Sequence, residues 1–185
     1  MQQGIVEGFA LSPQQRRLWT FWQESRGGPP YHARCVIRIE GRLDRPTLQA
    51  ALDDVVNRHE ILRTTFHCFE GLSVPTQVVD DASTPTLAYE DLSSLAPIQQ
   101  DEQVAELERE SWQAPFTLER APLLHAGLVR LSSQEHLLMI TLPSMCADDA
   151  TLWTLTDQLR RSYDTSAASS SPPDAPPTYS NCSAQ

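Results

Sequence analysis

"HLLMITLPSMCADDATLW", residues 136–153, is the stretch on which the fold turns. From Leu137 to Leu142 apolar residues fall on both faces, as they do in a strand at the centre of a sheet. A polar loop follows Pro143, and an amphipathic helix is expected from Asp148, with Leu152, Leu155 and Leu159 turned inward. Strand, loop and helix in this order mark the place where an α/β protein usually keeps its chemistry. Yet the loop offers no histidine, lysine or glycine, only Ser144, Cys146 and the adjacent Asp148 and Asp149.

Outward from this stretch, "LLHAGLVRL" (123–131) reads as a partner strand across the turn "SSQE". "HARCVIRIEG" (32–41) alternates, with Cys35, Ile37 and Ile39 on one side and Arg34 and Arg38 on the other. "LDRPTLQAALDDVVNRHE" (43–60) is the clearest helix, capped by Asp44, with Leu48, Leu52, Val55 and His59 in helical period. "ILRTTFHCF" (61–69) places Leu62, Thr64, Phe66 and Cys68 on one face of a strand, with "TQVV" (76–79) as its hairpin partner. A polar helix spans about Pro97 to Trp112. Near the N-terminus, "SPQQRRLWTFW" sets Ser12 at N-cap, Pro13 at N1 and Gln15 at N3, a capping box, with Leu18, Phe21 and Trp22 sharing a face. After Tyr163, "DTSAASSSPPDAPPT" has little to bury, so residues 1–163 form the folded unit and 164–185 a Ser/Pro-rich linker or disordered tail. The order α-β-α-β-β-α-β-β-α, without repeats, fits an α/β two-layer sandwich with a mixed sheet.

A chain of 185 residues with 40% hydrophobic residues is enough for one domain with a real core or two small ones. The net charge of −10 argues against nucleic acid or an anionic membrane as partner. All fourteen basic residues are arginine, which reads as base-composition bias. No apolar run reaches the roughly 18 residues of a membrane span and no signal peptide opens the chain, so a cytoplasmic location is expected. Cys35, Cys68, Cys146 and Cys182 are scattered, without metal-ligand spacing, and read as unpaired thiols.

Three stretches together resemble the N-terminal half of a condensation domain from a nonribosomal peptide synthetase, a fold of the chloramphenicol-acetyltransferase type. "LSPQQRRLW" resembles the opening motif Ser-x-Ala-Gln-x-Arg-Leu-Trp, apart from its alanine. "RHEILRTTF" (58–66) matches the second motif, Arg-His-Glu-x-Leu-Arg-Thr-x-Phe, at every fixed position. The third, His-His-x-x-x-Asp-Gly, falls on residues 143–149 when Asp148 takes the aspartate position. The closing "PTYSNCSAQ" resembles faintly the tyrosine-containing segment after the family's linker. The resemblance implies two subdomains in a V, a tunnel between them, and carrier proteins that deliver thioesters on phosphopantetheine; this chain covers the first subdomain. No cofactor is implied on the chain itself.

The departures fall on the chemistry. The histidine pair is replaced by Pro143 and Ser144, and the glycine by Asp149. A serine hydroxyl is no general base near neutral pH, whereas imidazole is. Losing a positioned acid/base group costs about 10²–10⁴ in rate. The motif is therefore degenerate, and no catalytic residue is expected. Asp148 is retained, and the resemblance pairs it structurally with an arginine of the second motif, here Arg63. A nucleophile at Ser144 or Cys146 would need a remote histidine, and no Gly-x-Ser-x-Gly elbow supports one. Cys146 reads better as apolar filler, and Asp148 and Asp149 as helix cap and dipole charge rather than metal ligands.

Members of the family that lack the histidines act as platforms for a carrier protein or a tailoring enzyme such as an oxygenase. That is the preferred expectation, with the partner in trans because the resemblance begins within a dozen residues of Met1. Arg16, Arg17, Arg34 and Arg38 are the dense cationic candidates, and Arg16 and Arg17 are the ones expected to meet it. The alternatives are an active condensation domain completed by residues outside this chain and a truncated fragment without function.

Overall fold

The computed structural model describes residues 8–24, 32–170 and 178–182. In chain order the elements are β1 (Phe9–Ala10), α1 (Pro13–Glu24), β2 (His32–Glu40), α2 (Arg45–Arg58), a 3-10 turn (Glu60–Arg63), β3 (Thr64–His67), β4 (Thr76–Val79), β5 (Leu87–Asp91), α3 (Pro97–Gln113), β6 (His125–Ser132), β7 (Glu135–Pro143), α4 (Asp149–Ser170) and β8 (Thr178–Cys182). The apolar run is the middle strand. The main sheet has the order β5-β6-β7-β2-β8, with β5 parallel to β6 and the other pairs antiparallel. A second sheet, β1-β4-β3, is antiparallel throughout.

Strand parity divides the core. Ile37, Ile39, Leu128, Leu138, Ile140 and Leu142 face α2 and α4, where Leu48, Leu52, Leu152, Leu155 and Leu159 complete the largest apolar cluster. Val36, Val129, Leu137 and Met139 face the other way, toward Val104 and Leu107 of α3. A strand buried on both sides needs apolar residues at both parities, which is why β7 reads as continuous. The expected α/β architecture with a mixed sheet is observed, and α3 lies across the second face. Both expected helix starts are capped as read: Gln15 N–H donates to Ser12 Oγ at 3.2 Å and Ser12 N–H to Gln15 Oε1 at 2.9 Å, while Thr47 N–H donates to Asp44 Oδ2 at 2.9 Å.

Several expectations are corrected. The segment from 164 is not linker from its start: α4 runs on to Ser170, and residues 178–182 add an edge strand to the sheet, with Val36 opposite Cys182 and Glu40 opposite Thr178. Ser and Ala extend a helix already anchored by Leu159 and Tyr163, because propensity need not supply what packing provides. The remainder of the expected tail lies outside the described residues. On α1 it is Trp19, 5% exposed, that anchors the helix beside the half-buried Leu18 and Trp22, whereas Phe21 is 56% exposed. Cys68 lies past the end of β3 and is exposed. The short strands β1 and β5 carry no amphipathic signal long enough to be read.

Candidate functional site

The motif loop stands at the end of β7, over a second apolar cluster of Leu11, Trp19, Phe66, Leu118, Leu123, Met145 and Cys146. The second motif builds its floor. Leu62 and Phe66 are fully buried, Phe66 N–H donates to the Leu118 carbonyl at 2.8 Å, and Leu123 N–H donates to the Leu62 carbonyl at 3.2 Å. Thr64 Oγ1 donates to the Glu60 carbonyl at 2.8 Å, closing the 3-10 turn. His59 ends α2 and bonds through Nε2 to Gln158 of α4 at 2.6 Å. The first motif holds the loop from the side. Gln15, already in the capping box, donates through Nε2 to the Met145 carbonyl at 3.1 Å and to Gln77 Oε1 at 3.0 Å.

Within the loop, Cys146 N–H donates to the Pro143 carbonyl at 2.8 Å. Pro143, Met145, Cys146 and Ala147 are buried, and Ser144 is half-buried. Burial pushes the Cys146 thiol up to about 12, so thiolate is absent near neutral pH and the side chain is the apolar filler expected. Asp148 accepts from Thr151 N–H at 2.8 Å and Thr151 Oγ1 at 2.7 Å, which holds its carboxyl below the usual carboxylate range. That is the helix cap expected of it. Asp149 begins α4.

The pairing of Asp148 with Arg63 is not formed. Arg63 lies at the end of the 3-10 turn and donates through Nη1 to the carbonyls of Asp80 and Asp81, the latter at 3.0 Å. It ties the second motif to the segment after β4, while the Asp148 carboxylate is engaged by its own helix. Of the four arginines singled out, Arg34 lies 3.7 Å from the Trp112 ring centroid and Arg38 pairs with Glu135 at 2.6 Å. Arg16 and Arg17 are exposed on α1.

A histidine not connected to the loop by sequence spacing is adjacent to it in the sheet. His32 is the residue opposite Pro143 in the β2–β7 ladder, and His125 is opposite Thr141 in the β6–β7 ladder. Phe116 packs edge-on against His32 at 5.1 Å and stacks on His125 at 4.0 Å. His32 Nδ1 donates to the Trp112 carbonyl at 3.0 Å, which leaves Nε2 as the unprotonated nitrogen, buried and without a hydrogen-bond partner among the described residues. Burial, chiefly, lowers the pKa of both rings. The signal available in the sequence was the start of the alternating strand at His32; its register against Pro143 required the sheet.

A family model for the condensation domain matches residues 6–184. The chain belongs to the condensation-domain family. It is 36% identical over 170 residues to chondramide synthase cmdD of Chondromyces crocatus, covering 90% of this chain and 4% of that protein. It is 34% identical over 167 residues to the isonitrile lipopeptide synthase of Mycobacterium tuberculosis, covering 90% and 6%. The chain thus spans a few per cent of the length of these relatives. Among solved structures, the X-domain in its complex with OxyB from teicoplanin biosynthesis is 29% identical, with a TM-score of 0.75 over 95% of this chain and 38% of that one. The starter condensation domain of rhizomide synthetase RzmA, in a mutant form, superposes with a TM-score of 0.78 over 91% of this chain and 38% of that chain; at 20% identity it attests the condensation-domain fold alone. Among the described residues, no helix is long and apolar enough to cross a membrane.

Proposed function

We propose that this condensation domain works by binding rather than by catalysis, as a platform in a nonribosomal peptide synthetase for a carrier protein or a trans-acting tailoring enzyme. The observation that carries the reading is the motif loop, in which Pro143 and Ser144 occupy the positions of the histidine pair and the neighbouring Cys146 is buried with its thiol protonated. Neither the Ser144 hydroxyl nor the protonated Cys146 thiol can take a proton from an amine near neutral pH, and the Asp148 carboxylate is engaged by Thr151. The similarity to an X-domain solved in complex with OxyB supports a protein partner. Phosphopantetheine enters only on the partner carrier.

The test is amide formation from loaded carrier proteins by the full synthetase module that contains this chain. No dipeptide above background is expected, and Ser144→Ala changes nothing. Turnover comparable with a histidine-bearing condensation domain overturns the reading. Binding is tested by calorimetry against carrier and tailoring proteins encoded beside this chain. Reversing Arg16 and Arg17 to glutamate is expected to weaken the complex without unfolding the domain; unchanged affinity moves the surface to the motif loop.

A second reading, retained amide formation in a domain completed by residues outside this chain, is favoured by His32. His32 stands opposite Pro143 in the sheet, its Nε2 is buried without a hydrogen-bond partner among the described residues, and holding two thioester-bound reactants together supplies rate by itself. Turnover lost in His32→Gln, with the fold intact, would select this reading.

A further inference from the structure

Between α3 and the β5–β6 edge of the main sheet lies a groove of about 350 Å³. Its floor is opened by a glycine in the middle of a strand. Gly127 of β6 stands opposite Ala88 of β5 and Met139 of β7, and a methyl group built on it meets no atom within 4 Å. Glycine weakens a strand interior, and one common reason for its presence is the close approach of a ligand. The wall above is apolar at Leu107 and polar at Ser111, which also bonds to Thr141 Oγ1 at 3.1 Å. His125 closes one end, its ring held by the stack on Phe116.

Charge selects the occupant. Among the described residues of the lining, the two ionised groups are Glu90 and Glu110, both exposed, and none is an arginine. A carboxylate or phosphate would meet two negative charges there. An ammonium would meet two attractive ones, with His125 and Ser111 as hydrogen-bond acceptors and hydrocarbon below for the rest of the molecule. We propose that the α3–β6 groove binds a small primary amine with an apolar body, its ammonium between Glu110 and Glu90 and its hydrocarbon over Gly127. The site goes beyond the platform reading and does not depend on it.

The probes are 2-phenylethylamine and its anionic counterpart 3-phenylpropionate, titrated into the isotope-labelled chain and followed by amide NMR shifts. Saturable shifts at Gly127, Ser111 and His125 are expected with the amine and none with the acid. Gly127→Leu, which fills the groove, is expected to abolish amine binding. The surface variant Glu90→Gln/Glu110→Gln, which leaves the core untouched, is expected to weaken it about threefold. Equal binding of the acid overturns the proposal, as does amine affinity unchanged in the double glutamine variant or in a folded Gly127→Leu. So does an absence of saturable shifts with the amine, which would leave the groove to a protein segment.

Discussion

The second and third motifs of this condensation domain have fared differently. From Arg58 to Phe66 the residues keep the full family pattern, and most have a structural use: Arg58 pairs with Asp54 at 2.6 Å, His59 joins α2 to α4, Thr64 closes the turn, and Leu62 and Phe66 fill the core. The third stretch carries Pro143 and Ser144 at its head, and its loop is held from beneath by Met145 and Cys146, from the side by Gln15 and at its end by Asp148. Packing therefore fixes the backbone of both motifs, and Ser144 of the third is a side chain that packing does not require. A loop anchored by its neighbours can exchange reactive groups without losing its path.

The largest effect that can break this comparison is at Phe66, 1% exposed. Phe66→Ala is expected to cost about 3–5 kcal/mol in urea unfolding, through lost burial and the cavity left behind. A cost below 1 kcal/mol would mean that the second motif is not the floor of the loop.

Next come Arg63 and Asp148, each with partners of its own. Arg63→Ala removes charged donors from the carbonyls of Asp80 and Asp81, at about 1–3 kcal/mol, and Asp148→Ala removes a helix cap, at about 1 kcal/mol. Because they share no partner, the double variant is expected to equal the sum within about 0.5 kcal/mol. A coupling above about 1 kcal/mol would restore the ion pair between them. Asp148 also carries a sign. Its folded-state carboxyl lies below the ordinary range, so its contribution holds above about pH 4 and is lost as pH falls through the folded value.

What was legible follows from length of signal. The helices α1 and α2, the hairpin β3–β4 and the central β6–β7 pair each carry a cap, a run of alternation or a continuous apolar run, and they stand where the pattern placed them. The strands β1 and β5 are two and five residues long, and the polar start of β8 follows a Ser/Pro-rich stretch, so none announces itself. At the site, Cys146 as filler and Asp148 as cap were local facts and were readable. The Arg63 contact spans 17 residues and the His32–Pro143 register spans two strands, and neither is a property of spacing.

Acidification gives a smaller effect. Burial lowers the pKa of His32, His125 and His136, with Arg34, His32 and Arg130 respectively adding repulsion. Each ring favours its neutral form in the folded state, so the unfolded chain binds more protons just below the ordinary histidine value of about 6.5. The stability they confer is therefore complete above that value and declines as pH falls toward the folded-state values. Melting temperature is expected to drop between pH 7.5 and 5.5, with a flatter profile in His32→Gln/His125→Gln. An identical profile in the double variant would show that these rings do not titrate with folding.

The smallest effect is expected at Ser144. Ser144 is half-buried, and its loop is closed by the bond from Cys146 N–H to the Pro143 carbonyl, which a change of side chain leaves in place. Its hydroxyl makes no hydrogen bond to another described residue and cannot serve as a base near neutral pH. Ser144→Ala is thus expected to shift stability by no more than about 0.5 kcal/mol. Cys146→Ala, two residues along, removes a buried sulfur from the cluster beneath the loop and is expected to cost more. Urea unfolding of the two variants side by side measures the contrast. If Ser144→Ala proves the costlier, the hydroxyl has a partner that holds the loop, and position 144 belongs with the scaffold.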